Sequence, residues 1–357
     1  MVIYVGLMVV CCGLALLIRE NCIKNSNQEA LNRTIVLFIF LAMFAVSACR
    51  VAVGNDYWVY KLNFTEIAGG REGVLAYEPG FLFLVKALQF LFGKESYIAV
   101  FAFFSFFTVL FFVRAVKDQS EWIAFSLFLL LANGYYYSSL NTVRYYLVFA
   151  MALWSMKFVI ERRHAEFILT IVLAAFMHKT VLIVIPVYYI CRIRWKPWFF
   201  ALLGAGSASL IFFKDFYRMI IFKVYPYYQG SEFDTGRVSY MNILKAGAVL
   251  IFCVIFYKQA VKDDIRNTFY FNLSVISFIV YTCCSFVPEY TRLGYYFAGA
   301  QIFLLPSVVR RIENKKVKIL MGSGIVFCFA VYFIFFLKSC YQVSIRLLPY
   351  YSWIFMP

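Results

Sequence analysis

An all-α polytopic membrane protein is the fold class that three features of the sequence predict. Hydrophobic residues fill 64% of the 357 positions and charged residues only 15%, whereas a soluble domain carries about a quarter charged residues. The apolar stretches are continuous and mostly approach the roughly 17 to 25 residues that a spanning helix needs. A membrane β-barrel would instead alternate with period two in strands of about ten residues. The aromatic share of 21%, with 42 Phe and 27 Tyr, suits lipid-facing helices bounded by interfacial belts. The expectation is a single integral membrane domain over residues 1–357 with about ten to thirteen transmembrane or re-entrant helices. Two sizeable outer loops interrupt it, at about 50–95 and 214–239.

Taken in chain order, the first element is 2–18, which lacks a basic leader and a small-residue cleavage site and reads as a retained helix. Further spans are predicted at 35–49, 96–113, 122–138, 142–160, 197–213, 240–257, 268–286, 292–309 and 317–337, each an apolar run between charged or turn-forming residues. A shorter apolar hairpin over 167–190 breaks at His178-Lys179. Between 81 and 92 lie twelve residues that include Lys86 and Gln89, a length and polarity suited to a re-entrant or interfacial helix. No internal repeat is visible. Both outer loops are rich in Tyr, Phe and Trp, unlike a disordered linker.

The net charge of +16 does not point to nucleic acid, because most of the cations sit in short clusters between apolar runs. These are Arg19/Lys24/Arg33, Arg114/Lys117, Lys157/Arg162/Arg163, Arg192/Arg194/Lys196, Lys258/Lys262/Arg266 and the run from Arg310 to Lys318. All share one face if 81–92 does not cross, and the positive-inside rule places that face in the cytoplasm. If 81–92 crosses, everything before it inverts. The ten Cys include the adjacent pairs Cys11-Cys12 and Cys283-Cys284 and show neither zinc nor disulfide spacing, so they read as packing residues. No metal site and no cofactor motif is expected, and the lipid bilayer is the first partner.

Function then rests on the ionisable groups beside the spans, because a charge at a membrane boundary is costly and by default faces a cavity. Under this topology Arg50, Asp56, Glu78, Arg144, His178, Glu289 and Arg292 all lie near the outer boundary. Arg50 closes a span and is followed by Gly54-Asn55-Asp56, where glycine permits a close approach; the plainer alternative is a snorkelling Arg50 and a solvated Asp56. Glu78-Pro79 reads either as a site carboxylate or as a helix N-terminus favoured by the macrodipole. Arg144 opens a helix, where a cation opposes the macrodipole, so a local anion is expected beside it. Arg rather than Lys also suits bidentate binding of phosphate or carboxylate. Arg292 repeats that placement, with an ion pair to Glu289 as the plainer alternative. His178 suits a substrate contact or general base, or a structural role.

These residues resemble a known family. Arg50-Val51-Ala52-Val53-Gly54-Asn55-Asp56, then Tyr60, then Tyr77-Glu78-Pro79-Gly80-Phe81 are similar to the outer loop of EpsG-like proteins, which belong to the Wzy-type polymerases of exopolysaccharide, capsule and O-antigen. Asn141-x-x-Arg144, His178 at the end of a short helix, Arg292 with Tyr295-Tyr296-Phe297, and the closing Leu348-Pro349-Tyr350 continue the pattern over nearly the whole chain. One departure is Tyr145, where the family commonly has Gln.

The resemblance implies a GT-C-like glycosyltransferase architecture in the bacterial inner membrane. It implies an active site facing the periplasm or exterior, and an undecaprenyl-diphosphate-linked oligosaccharide as substrate. A chain-length regulator is a further partner it suggests. The candidate bases are Asp56, Glu78 and His178. Arg50, Arg144 and Arg292, with Asn141, Tyr60 and Glu289, are the candidates for holding diphosphate and sugar. The rival readings are a flippase or transporter of lipid-linked sugars, an O-antigen ligase, and a membrane acyltransferase. A transporter commonly shows two related halves with matching broken helices; here only the hairpin at His178 is visibly broken.

Overall fold

The computed structural model describes residues 1–19, 26–70, 78–94, 96–231 and 233–355; Lys24 of the first basic cluster and Tyr77 lie outside the described residues. The chain is helical almost throughout and divides into two compact units, 1–158 with 164–182 and 313–357, and 159–163 with 183–312.

The first unit opens with α1 (Val2–Leu16), α2 (Ser26–Ala48), α3 (Tyr57–Ala68), α4 (Pro79–Phe92) and α5 (Tyr97–Gln119). It continues through α6 (Ile123–Ala132), α7 (Tyr135–Ser138), α8 (Val143–Ile160) and α9 (His164–Ala175). The second unit holds α10 (Val184–Arg192), α11 (Pro197–Phe212), α12 (Lys214–Val224), α13 (Tyr240–Ile255), α14 (Tyr257–Ala260), α15 (Ile265–Cys283), α16 (Tyr290–Ala298) and α17 (Gln301–Arg310). The chain then returns to the first unit with α18 (Lys315–Ser339).

Four helices, α2, α5, α8 and α18, are long and apolar enough to cross a membrane, and α11 with α12 forms a fifth candidate bent by 80°. The protein is therefore an all-α polytopic membrane protein. Several predicted spans are shorter than expected for identifiable reasons. The stretch 122–138 divides into α6 and α7 at Gly134, whose φ of +77° ends a right-handed helix. The stretch 292–309 divides into α16 and α17 at Gly299-Ala300. Both outer loops contain helices: α3 and α4 occupy much of 50–95, and α12 opens 214–239.

In the first unit α1 packs on α2 and α6, α2 on α5, α4 on α3 and α5, and α18 on α6. Helix α8 is buried for most of its length, with Tyr145, Val148, Phe149, Ala150, Ala152 and Leu153 out of contact with solvent. Near its end Lys157 donates to Asp118 at 2.5 Å, and Trp154 Nε1 donates to the same oxygen at 3.0 Å, so the carboxylate at the end of α5 is compensated.

In the second unit α15 is the hub, packing on α10, α11, α13, α16 and α17. Asp264 caps it, accepting from the amides of Arg266 and Asn267, while its other oxygen accepts from Arg311 at 2.5 Å. Asn272 Nδ2 donates to the carbonyls of Cys191 and Ile193 at 2.8 and 3.1 Å, satisfying the end of α10.

One element lies outside the helical pattern. Strand β1 (Arg50–Val51) pairs antiparallel with β2 (Tyr351–Ser352), Arg50 opposite Ser352, so the tail of the chain folds back on the segment that follows α2.

Candidate functional site

Four segments of the first unit, 50–60, 78–81, 140–145 and 176–180, meet in one cluster. The first segment is fixed from beneath by Arg50. Its side chain is 3% exposed; Nε donates to the Leu140 carbonyl at 3.1 Å, and Nη1 donates to the Ser47 carbonyl and to Ser105 Oγ at 3.2 Å. The guanidinium lies 4.8 Å from the Phe101 ring centroid. Among the described residues Nη2 has no hydrogen-bond partner. Burial lowers the Arg50 pKa to about 10, which leaves it charged at neutral pH. Arg50 therefore neither snorkels nor faces open water; it holds the end of α2 to the turn before α8.

Glycine at 54 brings the two segments into contact. Its φ is +94°, and a Cβ there would lie 2.8 Å from Asn141 Cα. The Asp56 amide donates to Asn141 Oδ1 at 2.8 Å, and Thr142 Oγ1 donates to Asp56 Oδ2 at 2.9 Å. The Asn141 and Asp56 side chains are thus oriented by each other's segments. The tail supports this turn from the other side, because the amides of Gly54 and Asn55 donate to the carbonyls of Arg346 and Ile345 at 2.8 and 3.1 Å.

Arg144, in the first turn of α8, finds the anion that its position demands in Glu78. Nη1 donates to Glu78 Oε2 at 2.6 Å, with the two side chains 16% and 17% exposed. The guanidinium also lies 5.0 Å from the Phe81 centroid. Glu78 is the N-cap residue of α4 but makes no side-chain capping bond; its second oxygen accepts from the Lys179 amide at 3.3 Å. Tyr60, one turn into α3, is buried beside Arg144. Burial raises its pKa, and the Arg144 charge and hydrogen bond oppose that rise.

His178 follows α9, with Nδ1 2.8 Å from Thr180 Oγ1 and its ring edge-on to Tyr145 at 6.0 Å. Tyr145 is almost fully buried and takes up a packing position there. Helix α4 reaches this corner because residue 80 is glycine: a Cβ would lie 2.6 Å from Phe176 Cβ. Glu289 and Arg292 belong to the second unit, where they pair with each other at 2.8 Å across one helical turn.

The first unit thus brings together Arg50, Asp56, Tyr60, Glu78, Asn141, Arg144 and His178 from the predicted set. Thr142 and the Lys179 amide were not singled out by sequence, and Phe81 entered only as the end of the 77–81 motif. Thr142 adjoins Asn141, and a hydroxyl at a helix start is a signal that could have been used. The Lys179 amide leaves no trace in sequence. Among the described residues no three His, Cys, Asp or Glu side chains gather as a metal site would require.

The model of the EpsG family matches residues 33–352. The chain belongs to the EpsG family. EpsG is a Wzy-like polymerase family, and the chain is accordingly a membrane protein of Wzy-type polysaccharide biosynthesis. The match takes in every candidate residue of both units and extends to β2 of the tail. No curated protein and no solved structure matches the chain. Within the EpsG framework, the first-unit cluster combines two guanidiniums, two carboxylates, a phenol, an amide and an imidazole. Such a set can bind an anion and accept a proton side by side.

Proposed function

We propose that this chain is a polysaccharide polymerase, moving a growing undecaprenyl-diphosphate-linked glycan onto the terminal sugar of a new lipid-linked repeat unit. The reaction is assigned to the outer face of the bacterial inner membrane: the family resemblance supplies the membrane, and the basic clusters support the outward face provided that 81–92 does not cross. EpsG membership supports the reading, and the observation that carries it is the Arg144–Glu78 pair set beside Asp56.

In this reaction an acceptor hydroxyl attacks the anomeric carbon of the donor. The bond from that carbon to diphosphate oxygen breaks, the hydroxyl proton passes to a base, and undecaprenyl diphosphate leaves as an anion. A diphosphate needs charge neutralisation more than protonation, which is the role assigned to Arg144. Glu78 holds the guanidinium in place before substrate arrives and is committed to it and to the Lys179 amide. Asp56, oriented by Thr142 and Asn141, is therefore the base in this scheme, ahead of Glu78 and His178. Tyr60 and Asn141 border the same cluster and are assigned to sugar or diphosphate contacts. Arg50 acts from beneath. Glu289 and Arg292 are assigned to substrate binding in the second unit.

The test is a glycan ladder. Surface polysaccharide from a gene deletion is resolved on a gel with and without a plasmid copy. Single repeat units in the deletion, with the ladder restored by wild type but not by Asp56→Asn or Arg144→Ala, support the proposal. Long polymer that persists unattached favours ligation. Polymer that persists attached and unmodified favours transport or acylation.

A further inference from the structure

Helix α12 carries a feature that the polymerase reading does not use. It follows α11, an apolar helix with no buried residue, after a bend of 80°. One side of α12 faces its own unit: Tyr217 Oη lies 2.7 Å from Ser209 Oγ, the Tyr217 ring lies 6.4 Å from that of Phe286, and Arg218 pairs with Asp234 at 2.5 Å. The side turned away from Arg218 exposes Phe216, Ile220 and Val224, which are spaced four residues apart and form one stripe bordered by Tyr217. Phe212 and Phe213 at the bend are exposed too, so the stripe continues the bare apolar surface of α11. Lys223 flanks the stripe and Lys214 stands at the start of the helix, both exposed.

We propose that α12 lies in the plane of the membrane–water interface, its Phe216–Ile220–Val224 stripe immersed in the acyl boundary and its lysines at the level of the lipid phosphates. The occupant of the stripe is the bilayer. Continuity argues for this, because the stripe extends the surface of α11, an apolar helix of 16 residues that with α12 makes up one bent candidate span. Charge argues the same way: a basic-flanked apolar stripe sinks about 5 to 10 Å into the headgroup region while its cations reach phosphate. The consequence concerns the neighbouring cavity of about 270 Å³, lined by Thr235, Arg237, Ser239, Glu289, Tyr290 and Thr291. The Arg218–Asp234 pair ties α12 to one rim, and the Tyr217–Phe286 contact ties it to the other. A helix anchored at the interface holds that polar cavity at headgroup level, the depth at which the sugars and phosphates of a lipid-linked substrate lie.

The placement of α12 does not depend on the polymerase reading, on which only the use of the cavity rests, and is tested without an activity assay. Benzoylphenylalanine is placed at 216, 220 or 224 of the full-length protein in its native membrane. Membrane yield confirms insertion, and the irradiated protein is weighed intact. The expected result is a mass shift of one phospholipid at all three positions and none at 217, which faces the protein. A dimer or a heterologous adduct would make the stripe a protein-docking face and overturn the proposal. Absence of any adduct would mean that the stripe faces water and would overturn it equally.

Discussion

The Arg144 guanidinium donates to the Glu78 carboxylate at 2.6 Å, joining positions 66 apart in sequence. The contact neutralises a cation that the α8 dipole disfavours, and it ties the start of α4 to the start of α8. Arg144→Lys keeps the charge but loses the planar fork and its contact with Phe81. The expected outcome is normal membrane abundance with polymer reduced by about tenfold or more. A ladder equal to wild type would remove the guanidinium from the site. Glu78→Gln strands the cation instead. Breaking a fully buried pair costs about 3 to 5 kcal/mol, and the partial exposure of this one puts the cost below that range, so lower abundance and a lower unfolding temperature are both expected.

Gly54 and Asn141 touch with no room for a side chain between them. Gly54→Ala adds a methyl group 2.8 Å from the Asn141 backbone and places alanine at a φ of +94°. The backbone strain alone is about 1 to 3 kcal/mol. The substitution should separate Asp56 from Thr142, giving an inserted protein with little polymer. Full activity in this variant would mean that the Asp56–Asn141 contact is not needed for catalysis.

The all-α membrane character was legible in the composition because lipid imposes it on every segment at once. The same apolar runs did not reveal where helices break. Gly134 and Gly299 sit inside hydrophobic stretches, and an apolar residue on either side reads alike whether the helix continues or turns. Helix α3 was missed because its sequence, with Lys61, Asn63 and Glu66, carries too little apolar periodicity to stand out. Among site residues, each charge was visible singly, since ionisable groups beside a span are rare. Their pairing was not. Arg144 required an anion, but nothing local chose Glu78, and Arg292 took the near partner that Arg144 did not have. The two-residue strand of the tail leaves no pattern at all.

Arg50 links Ser47, Ser105 and Leu140, which belong to three segments. Arg50→Met should remove the donor to the Ser47 and Leu140 carbonyls, at about 1 to 3 kcal/mol each where they stay dry, lowering stability and polymer together. Ser105 Oγ keeps the Ser47 hydroxyl as its donor. Its pH behaviour is specific. The folded pKa of about 10 lies below the ordinary arginine value, so the unfolded chain binds more protons only at pH values above that. The pH-linked part of stability is gained as pH rises through that window and lost as pH falls back through it. Below it, Arg50 is charged in both states. The gap in unfolding temperature between wild type and Arg50→Met should therefore stay constant from about pH 6 to about pH 9. A gap that changes within this range would show that another titrating group governs the segment.

The tail is held to the same turn by backbone bonds that no side-chain substitution removes cleanly, so a covalent link is the sharper test. Val51 and Tyr351 are register partners in the β1–β2 pair. Facing positions in an antiparallel ladder bring Cα atoms to about 4.5 to 5.5 Å, within reach of a disulfide. Val51→Cys with Tyr351→Cys should cross-link under mild oxidation, and a protease site introduced into the α18–β2 segment reports the bond as an unshifted band until reductant is added. Because the bond fixes a contact already present, polymer length should be unchanged by oxidation. Loss of the ladder on oxidation, with recovery on reduction, would instead mean that the tail must leave the Arg50–Asp56 segment during the reaction cycle. Absence of the cross-link in an active double variant would mean that the pairing does not form in the membrane. The native tail contacts at Cys49, Gly54 and Asn55 surround the tested pair on both sides, which makes a local register slip without wider loss of structure an unfavourable escape.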